Sequence, residues 1–309
     1  MYAKNLFQLA VIFMFTNQAF SQIPTVSNGT IKHLENFSSQ YVKARNVDVW
    51  LPPGYTTNKK YAVLYMHDGG SLFDSTITWN KQEWCVDETM TALRKDGVIQ
   101  DCIVVGIYNG GPLRQSEYFP QKAFDQLTPE QKERFYAAEF YPGYKMLQGE
   151  IQSDNYLKFI VNELKPFVDS SFSVLTDREN TFVAGSSYGG LISIYTLCEY
   201  PDVFGSALCM STHWPGMDKK NPDIPGVLTD YLEAHLPAPD SHRIYFDYGT
   251  AGVDSLYKPY QQQVDKIMVA KGYSEKNWLT KEFPGASHNE RSWSFRLHIP
   301  FTFILGKKE

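Results

Sequence analysis

Apolar positions along this chain fall in short runs, several of them nearly unbroken, separated by longer stretches where they recur at helical spacing. The short runs cover residues 47–51, 62–66, 103–107, 181–184, 206–210, 243–247 and 278–283. Continuous apolar strands, rather than alternating ones, are what a parallel sheet covered on both faces requires. The helical pattern lies between them, over residues 83–95, 156–168, 190–199 and 259–271. Strands alternating with helices predict an α/β fold: a doubly wound, mostly parallel sheet with helices on both faces. In such sheets ligands bind at the carboxyl ends of the strands. No repeat, low-complexity tract or Pro/Ser-rich linker interrupts the pattern, so residues 24–309 read as one domain.

Two stretches break the rhythm. Residues 112–149 form an aromatic-rich insertion containing Tyr118, Phe119, Phe124, Phe135, Tyr136, Phe140, Tyr141 and Tyr144. Within it, Thr128-Pro129 reads as a helix N-cap followed by proline at the first helical position. An insertion of this length near the functional edge is expected to cap a pocket, the alternative being a packed surface decoration. At the N-terminus, Lys4 precedes an apolar run from Leu6 to Phe15, and Ala19-Phe20-Ser21 follows. That layout predicts a signal peptide over residues 1–21, cleaved after Ser21, and a secreted or periplasmic mature chain. The run is shorter than the ~20 apolar residues a bilayer span needs, and no cysteine lies near the cut, so no membrane anchor is expected.

Composition narrows the classes. With 309 residues, 43% of them hydrophobic, the chain can bury a large core. Its net charge is −5, with Lys and Arg scattered, whereas a nucleic-acid partner would call for a basic face. Aromatic residues reach 15%, which core packing explains for the most part, with stacking surfaces for sugars or aryl groups as the functional alternative. Cys85, Cys102, Cys198 and Cys209 would permit disulfides in an exported protein. Cys102, Cys198 and Cys209 sit in apolar element patterns, so buried free thiols are expected there. No Cys/His spacing suggests a metal, and no cofactor is expected.

The sharpest chemical signal is Gly185-Ser-Ser187-Tyr-Gly189, placed between a β-run and a helical run. A tight strand-to-helix turn lifts a nucleophile above the sheet in strained geometry, and side chains two positions either side would collide. Ser186 as nucleophile would put the large Tyr188 at such a position. Ser187 is therefore the candidate nucleophile, the alternative being a Gly-rich turn with a capping serine.

A serine at neutral pH needs a base, and the base an orienting acid, in the order Ser, acid, His. His213 follows a strand too closely to leave room for an acid-bearing strand. His235 and His242 flank a Pro-rich loop before residue 243, and His298 is expected at the end of a terminal helix. His288, in the small-residue loop after the last strand, is the candidate base. Asp254, in the loop after the preceding strand, is the candidate acid; Asp247, within that strand, is the alternative. The oxyanion is expected to meet the backbone N–H of Tyr188, at the positive end of the next helix, and that of Gly69, with Gly70 second. His67, Asp68 and Gly70 of the same turn, and Trp214, are candidates for contacting substrate.

Together, Val63-Leu-Tyr-Met-His-Asp-Gly-Gly, Gly185-Ser-Ser-Tyr-Gly-Gly, Tyr245-Phe-Asp-Tyr-Gly-Thr and Pro284-Gly-Ala-Ser-His resemble the Putative esterase family over nearly the whole mature chain. That family includes enterochelin esterases, esterase D and carbohydrate esterase family 1. The resemblance implies an α/β-hydrolase fold and a triad mapping onto Ser187, Asp254 and His288. Many members carry Gln-Asn after His-Asp-Gly, where this chain has Gly70-Ser71. The expected function is a serine esterase acting on a small-molecule or carbohydrate ester, such as acetyl or feruloyl esters on plant polysaccharide. The alternatives are a siderophore esterase, an acyltransferase, and a non-catalytic carbohydrate-binding relative.

Overall fold

The computed structural model describes residues 22–217 and 223–307, with the side chains of residues 140 and 141 left aside. The expected leader over residues 1–21 lies outside the described residues. Among the described residues ten strands occur in chain order: β1 Thr30–Phe37, β2 Arg45–Leu51, β3 Ala62–His67, β4 Cys102–Ile107, β5 Glu139–Tyr141, β6 Tyr144–Lys145, β7 Thr181–Ser186, β8 Ser206–Met210, β9 Arg243–Gly249 and β10 Trp278–Phe283. Eight form one sheet in the order β1-β2-β4-β3-β7-β8-β9-β10, and β5 with β6 makes a separate hairpin.

Each strand expected from the apolar runs is present. β3, β4, β7 and β8 are buried at every position, because one apolar cluster packs on each face of the sheet. From β4 to β10 all neighbours run parallel, while β1 and β2 join antiparallel at one edge. The sequence pattern misses β1, Thr-Ile-Lys-His-Leu-Glu-Asn-Phe, which is half polar. It has a single partner, keeps much of its surface in water, and so carries no continuous apolar run. The parallel set brings the carboxyl ends of β3, β7, β8, β9 and β10 to one edge.

The helices depart from expectation in places. The stretch expected at residues 156–168 extends from Ser153 to Ser171 and opens into a π-turn over Ile160–Leu164, just before Pro166. Proline has no N–H to give and crowds the carbonyl four residues back, so the wider turn relieves the clash. Helix Asp223–His235 is not read from the sequence, and His298 opens the last helix, His298–Leu305, rather than closing one. Cys102, Cys198 and Cys209 are buried free thiols, and Cys85 is half-buried and free. Among the described residues no helix is long and apolar enough to cross a membrane.

The aromatic insertion folds as three short helices, Arg114–Tyr118, Gln121–Asp125 and Pro129–Tyr136, followed by the β5–β6 hairpin. Thr128 caps the third through a capping box with Gln131, as its Thr-Pro signal predicts. Tyr118, Phe119, Phe124 and Phe135 are buried in the main core, with the Phe119 and Phe135 rings 4.7 Å apart. Glu117 receives Arg45 of β2 in a buried bidentate pair at 2.7 and 2.9 Å, which ties the insertion to the sheet. Tyr188 Oη lies 3.4 Å from Met146 Sδ, so the segment also abuts the start of helix Tyr188–Glu199.

Candidate active site

β7 delivers its chain into Ser187, which adopts φ 59° and ψ −122°, a region that disfavours any residue with a Cβ. The turn is held from several sides. Ser187 N–H donates to Met210 C=O at 3.0 Å, and Ser187 C=O accepts from the N–H groups of Gly190, Leu191 and His213 at 3.0–3.2 Å. A Cβ on Gly185 would stand 2.6 Å from the Gly189 backbone, and one on Gly190 2.7 Å from Thr212 Oγ1. At Gly189 the nearest atom to such a Cβ would be Asp68 Oδ2 at 3.4 Å, an ordinary contact. The two flanking glycines are thus unequal: Gly185 is sterically required, whereas Gly189 leaves room for a methyl group. Ser187 is half-buried and its side chain does not cap the helix that follows.

The candidate acid and the candidate base meet. His288 Nδ1 lies 2.6 Å from Asp254 Oδ1. Asp254 sits in the 3₁₀ turn Gly252–Leu256 after β9 and is fully buried. Its Oδ2 accepts the Ser211 hydroxyl at 2.6 Å and the Gly249 N–H at 2.8 Å. Burial alone would raise this carboxyl's pKa; the hydrogen bond and charge of His288, with the donors Ser211 and Gly249, outweigh it and hold the group below the usual range. Because the ionised carboxylate only accepts, the His288 proton belongs on Nδ1, leaving Nε2 as the basic nitrogen. A Cβ on Gly249 would come within 2.1 Å of Ala286 C=O, so only glycine lets the base-bearing loop approach the acid.

Behind the acid lies a second layer. Ser211 Oγ accepts Trp293 Nε1–H at 3.0 Å and Arg296 Nη2–H at 2.9 Å while donating to Asp254. Trp293 and Tyr257 both stand edge-on to the His288 ring, at centroid distances of 5.1 and 5.8 Å. Asp247, the alternative acid, is bound instead to Arg296 at 2.8 and 3.0 Å and to Tyr245 Oη at 3.1 Å. It anchors the second layer and makes no bond to His288.

Tyr188 is the first residue of its helix, where backbone N–H groups point outward along the axis. Gly69 opens a short 3₁₀ turn at the end of β3, and a Cβ there would lie 2.6 Å from the Gly106 backbone. The remaining substrate candidates fare differently. His67 is buried, its Nδ1 2.8 Å from Tyr156 Oη, and Trp214 is buried with its N–H donated to Gln261 at 2.9 Å. Neither ring presents a face to a ligand, because both complete the core beneath the site. The Asp68 carboxylate is occupied by Arg114 and Asn109. Gly70 is half-buried against the Tyr108 ring.

His213, dismissed as a base, proves to be a structural neighbour of the site. Its Nδ1 is 2.6 Å from Tyr257 Oη and its ring stacks on Tyr188 at 5.1 Å. Burial, reinforced by the charges of His288 and Arg114, lowers its pKa to about 3, so it stays neutral. Ser211, Trp293 and Tyr257 escape the sequence reading, since no local pattern marks residues whose role depends on contacts 30 or more positions away.

The family model described as Putative esterase matches residues 38–298. The chain belongs to the Putative esterase family. Membership carries carboxylic ester hydrolysis with it. Among curated proteins, the Uncharacterized protein YbbA of Bacillus subtilis is 24% identical over 271 residues, covering 85% of this chain and 93% of that protein. Among solved structures, a ferulic acid esterase from Anaeromyces mucronatus, in complex with ferulic acid, superposes with a TM-score of 0.60 at 24% identity, covering 92% of this chain and 94% of that one. The enterobactin esterase FES from Shigella flexneri gives a TM-score of 0.62 at 18% identity, covering 92% of this chain and 60% of that one. These likenesses establish the α/β-hydrolase fold.

Proposed function

We propose that this chain is an exported serine esterase that cleaves carboxylic esters through an acyl-enzyme on Ser187. The observation that carries the reading is the 2.6 Å bond between His288 and the buried Asp254 at the sheet edge where the strained Ser187 turn stands. In this mechanism His288 Nε2 takes the Ser187 proton as Oγ attacks the ester carbonyl. The N–H groups of Tyr188 and Gly69 hold the oxyanion, and Asp254 stabilises the imidazolium. His288 then protonates the departing alcohol, and a water activated by the same nitrogen releases the acid. Ser187→Ala should abolish p-nitrophenyl acetate hydrolysis and fluorophosphonate labelling; full activity in that variant would overturn the mechanism.

For the substrate, the reading is an acetyl or feruloyl ester carried on plant polysaccharide. It is supported by the ferulic acid esterase likeness and by the leader expected at residues 1–21. A siderophore ester is the alternative that the FES likeness suggests. Against it, Arg114, the cation beside the Ser187 turn, already has two of its donors on Asp68. Release of ferulate or acetate from decorated xylan, with a siderophore lactone left intact, is the expected result; the reverse would overturn this assignment.

A further inference from the structure

We propose that the Asp68–Arg114 ion pair holds the two halves of the oxyanion hole in register, with both residues acting as positioning residues. The inference rests on the serine-esterase reading above and assigns a task to the aromatic insertion, which supplies Arg114.

Asp68 immediately precedes Gly69, one of the two oxyanion donors, and lies in the left-handed region at φ 57° and ψ 44°. Aspartate tolerates that conformation better than most residues with a Cβ, through hydrogen bonds of its short side chain, and here that side chain is held from three donors. Arg114 Nε–H donates to Asp68 Oδ1 at 2.7 Å and Arg114 Nη2–H to Oδ2 at 2.7 Å, a two-pronged contact that fixes the carboxylate plane. Asn109 Nδ2 adds a third donor to Oδ1 at 2.7 Å. The backbone N–H of Asp68 donates to Tyr118 Oη at 3.3 Å, and Tyr118 belongs to the same short helix as Arg114.

The same guanidinium reaches the other half of the hole. Its carbon lies 5.1 Å from the Tyr118 ring centre and 6.0 Å from that of Tyr188, the residue bearing the second donor N–H. Tyr188 is pinned at its far end, where Oη donates to Gly216 C=O at 2.7 Å. Asp68 Oδ2 sits 3.4 Å from the position a Gly189 Cβ would take, so the pair is wedged against the nucleophile turn itself. Three chain segments, the turn after β3, the start of the nucleophile helix and the insertion, therefore converge on one ion pair. Its helix is in turn locked to β2 by Glu117 and Arg45. The Asp68 carboxyl is held below its ordinary pKa: burial would raise it, and the charge and hydrogen bonds of Arg114 prevail. Lysine could supply the charge of Arg114 but not the planar fork.

The test uses Arg114→Ala, Arg114→Lys and Asp68→Asn in the full chain, with active sites counted by the endpoint of fluorophosphonate labelling. We expect kcat per labelled site on p-nitrophenyl acetate to fall about 10- to 100-fold in Arg114→Ala, less than the loss of an oxyanion donor outright. KM should move less than about threefold. Added guanidinium should restore part of the Arg114→Ala rate, and Arg114→Lys should remain at least about fivefold impaired. A kcat per site equal to wild type in Arg114→Lys or Asp68→Asn would overturn the proposal. So would a loss that appears only in KM and grows with negative charge on the acyl group, the signature of a substrate-binding arginine. Should Arg114→Ala fail to fold, Arg114→Lys decides. Ser187→Ala runs alongside: residual turnover there condemns the serine reading, whereas its inactivity beside an unimpaired Arg114→Lys condemns only this inference.

Discussion

His288 Nδ1 and Asp254 Oδ1 stand 2.6 Å apart, and the second oxygen of Asp254 is filled by Ser211 Oγ and the Gly249 N–H. The carboxylate can neither rotate nor take a water without losing one of these partners, so it holds the His288 ring in one orientation. Asp254→Asn keeps the shape but places an NH₂ or a neutral oxygen opposite His288. We expect kcat for p-nitrophenyl acetate to fall about 10³-fold or more, as when a triad imidazole is held in the wrong tautomer, with little change in melting temperature. Ser211→Ala, which removes one donor to the acid, should cost about tenfold. Steady-state kinetics against thermal unfolding separates the two effects.

The glycines beside Ser187 should respond unequally. Gly185→Ala would force a methyl to within 2.6 Å of the Gly189 backbone and should leave little folded, labelled enzyme. Gly189→Ala meets nothing closer than 3.4 Å and should retain the fold and the fluorophosphonate label. Equal behaviour of the two variants would contradict the turn geometry.

Stability should rise with pH across the acidic range. Burial lowers His67 and His213 to about 3, far below the unfolded value near 6.5. Between those limits the unfolded chain binds protons that the folded one refuses, so the stabilisation is complete above about pH 6.5 and is lost as pH falls toward 3. Each histidine contributes a slope of at most about 1.4 kcal/mol per pH unit in that window. Urea unfolding of His213→Gln at several pH values should show a shallower slope than wild type.

The Arg45–Glu117 pair should matter first of all for stability. Both side chains are buried, and removing one leaves the other as an uncompensated charge. Arg45→Ala should cost about 3–5 kcal/mol, measured by chemical denaturation. Replacing both residues with apolar ones should recover much of that loss, because the desolvation cost disappears together with the attraction.

Legibility from sequence followed the range of the interactions. β3, β4, β7 and β8 were readable because strands covered on both faces must be apolar throughout. β1 was not, because half of its residues are polar and much of it stays in water, which leaves no apolar run to read. Asp254, in the loop after β9, was the first candidate acid and Asp247, within β9, the alternative; the packing of Arg296 against Asp247 leaves Asp254 as the carboxylate that meets His288. His67 and Trp214 looked available for a ligand, and their burial shows that a polar or aromatic residue next to a motif can belong to the core instead.

By itself, the sequence determined the parallel α/β architecture, the strand-to-helix turn at Ser187 and the order of the candidate acid and base after it. Those features are written in local spacing: apolar runs that set strands, and small residues that a tight turn demands. Tertiary structure alone decided what surrounds those residues: Ser211, Trp293 and Arg296 behind Asp254, and Asp68 paired with Arg114 beside the Ser187 turn. Such partners lie tens of residues apart along the chain, and folding, not sequence proximity, brings a charge or a hydrogen-bond donor within 3 Å of its mate.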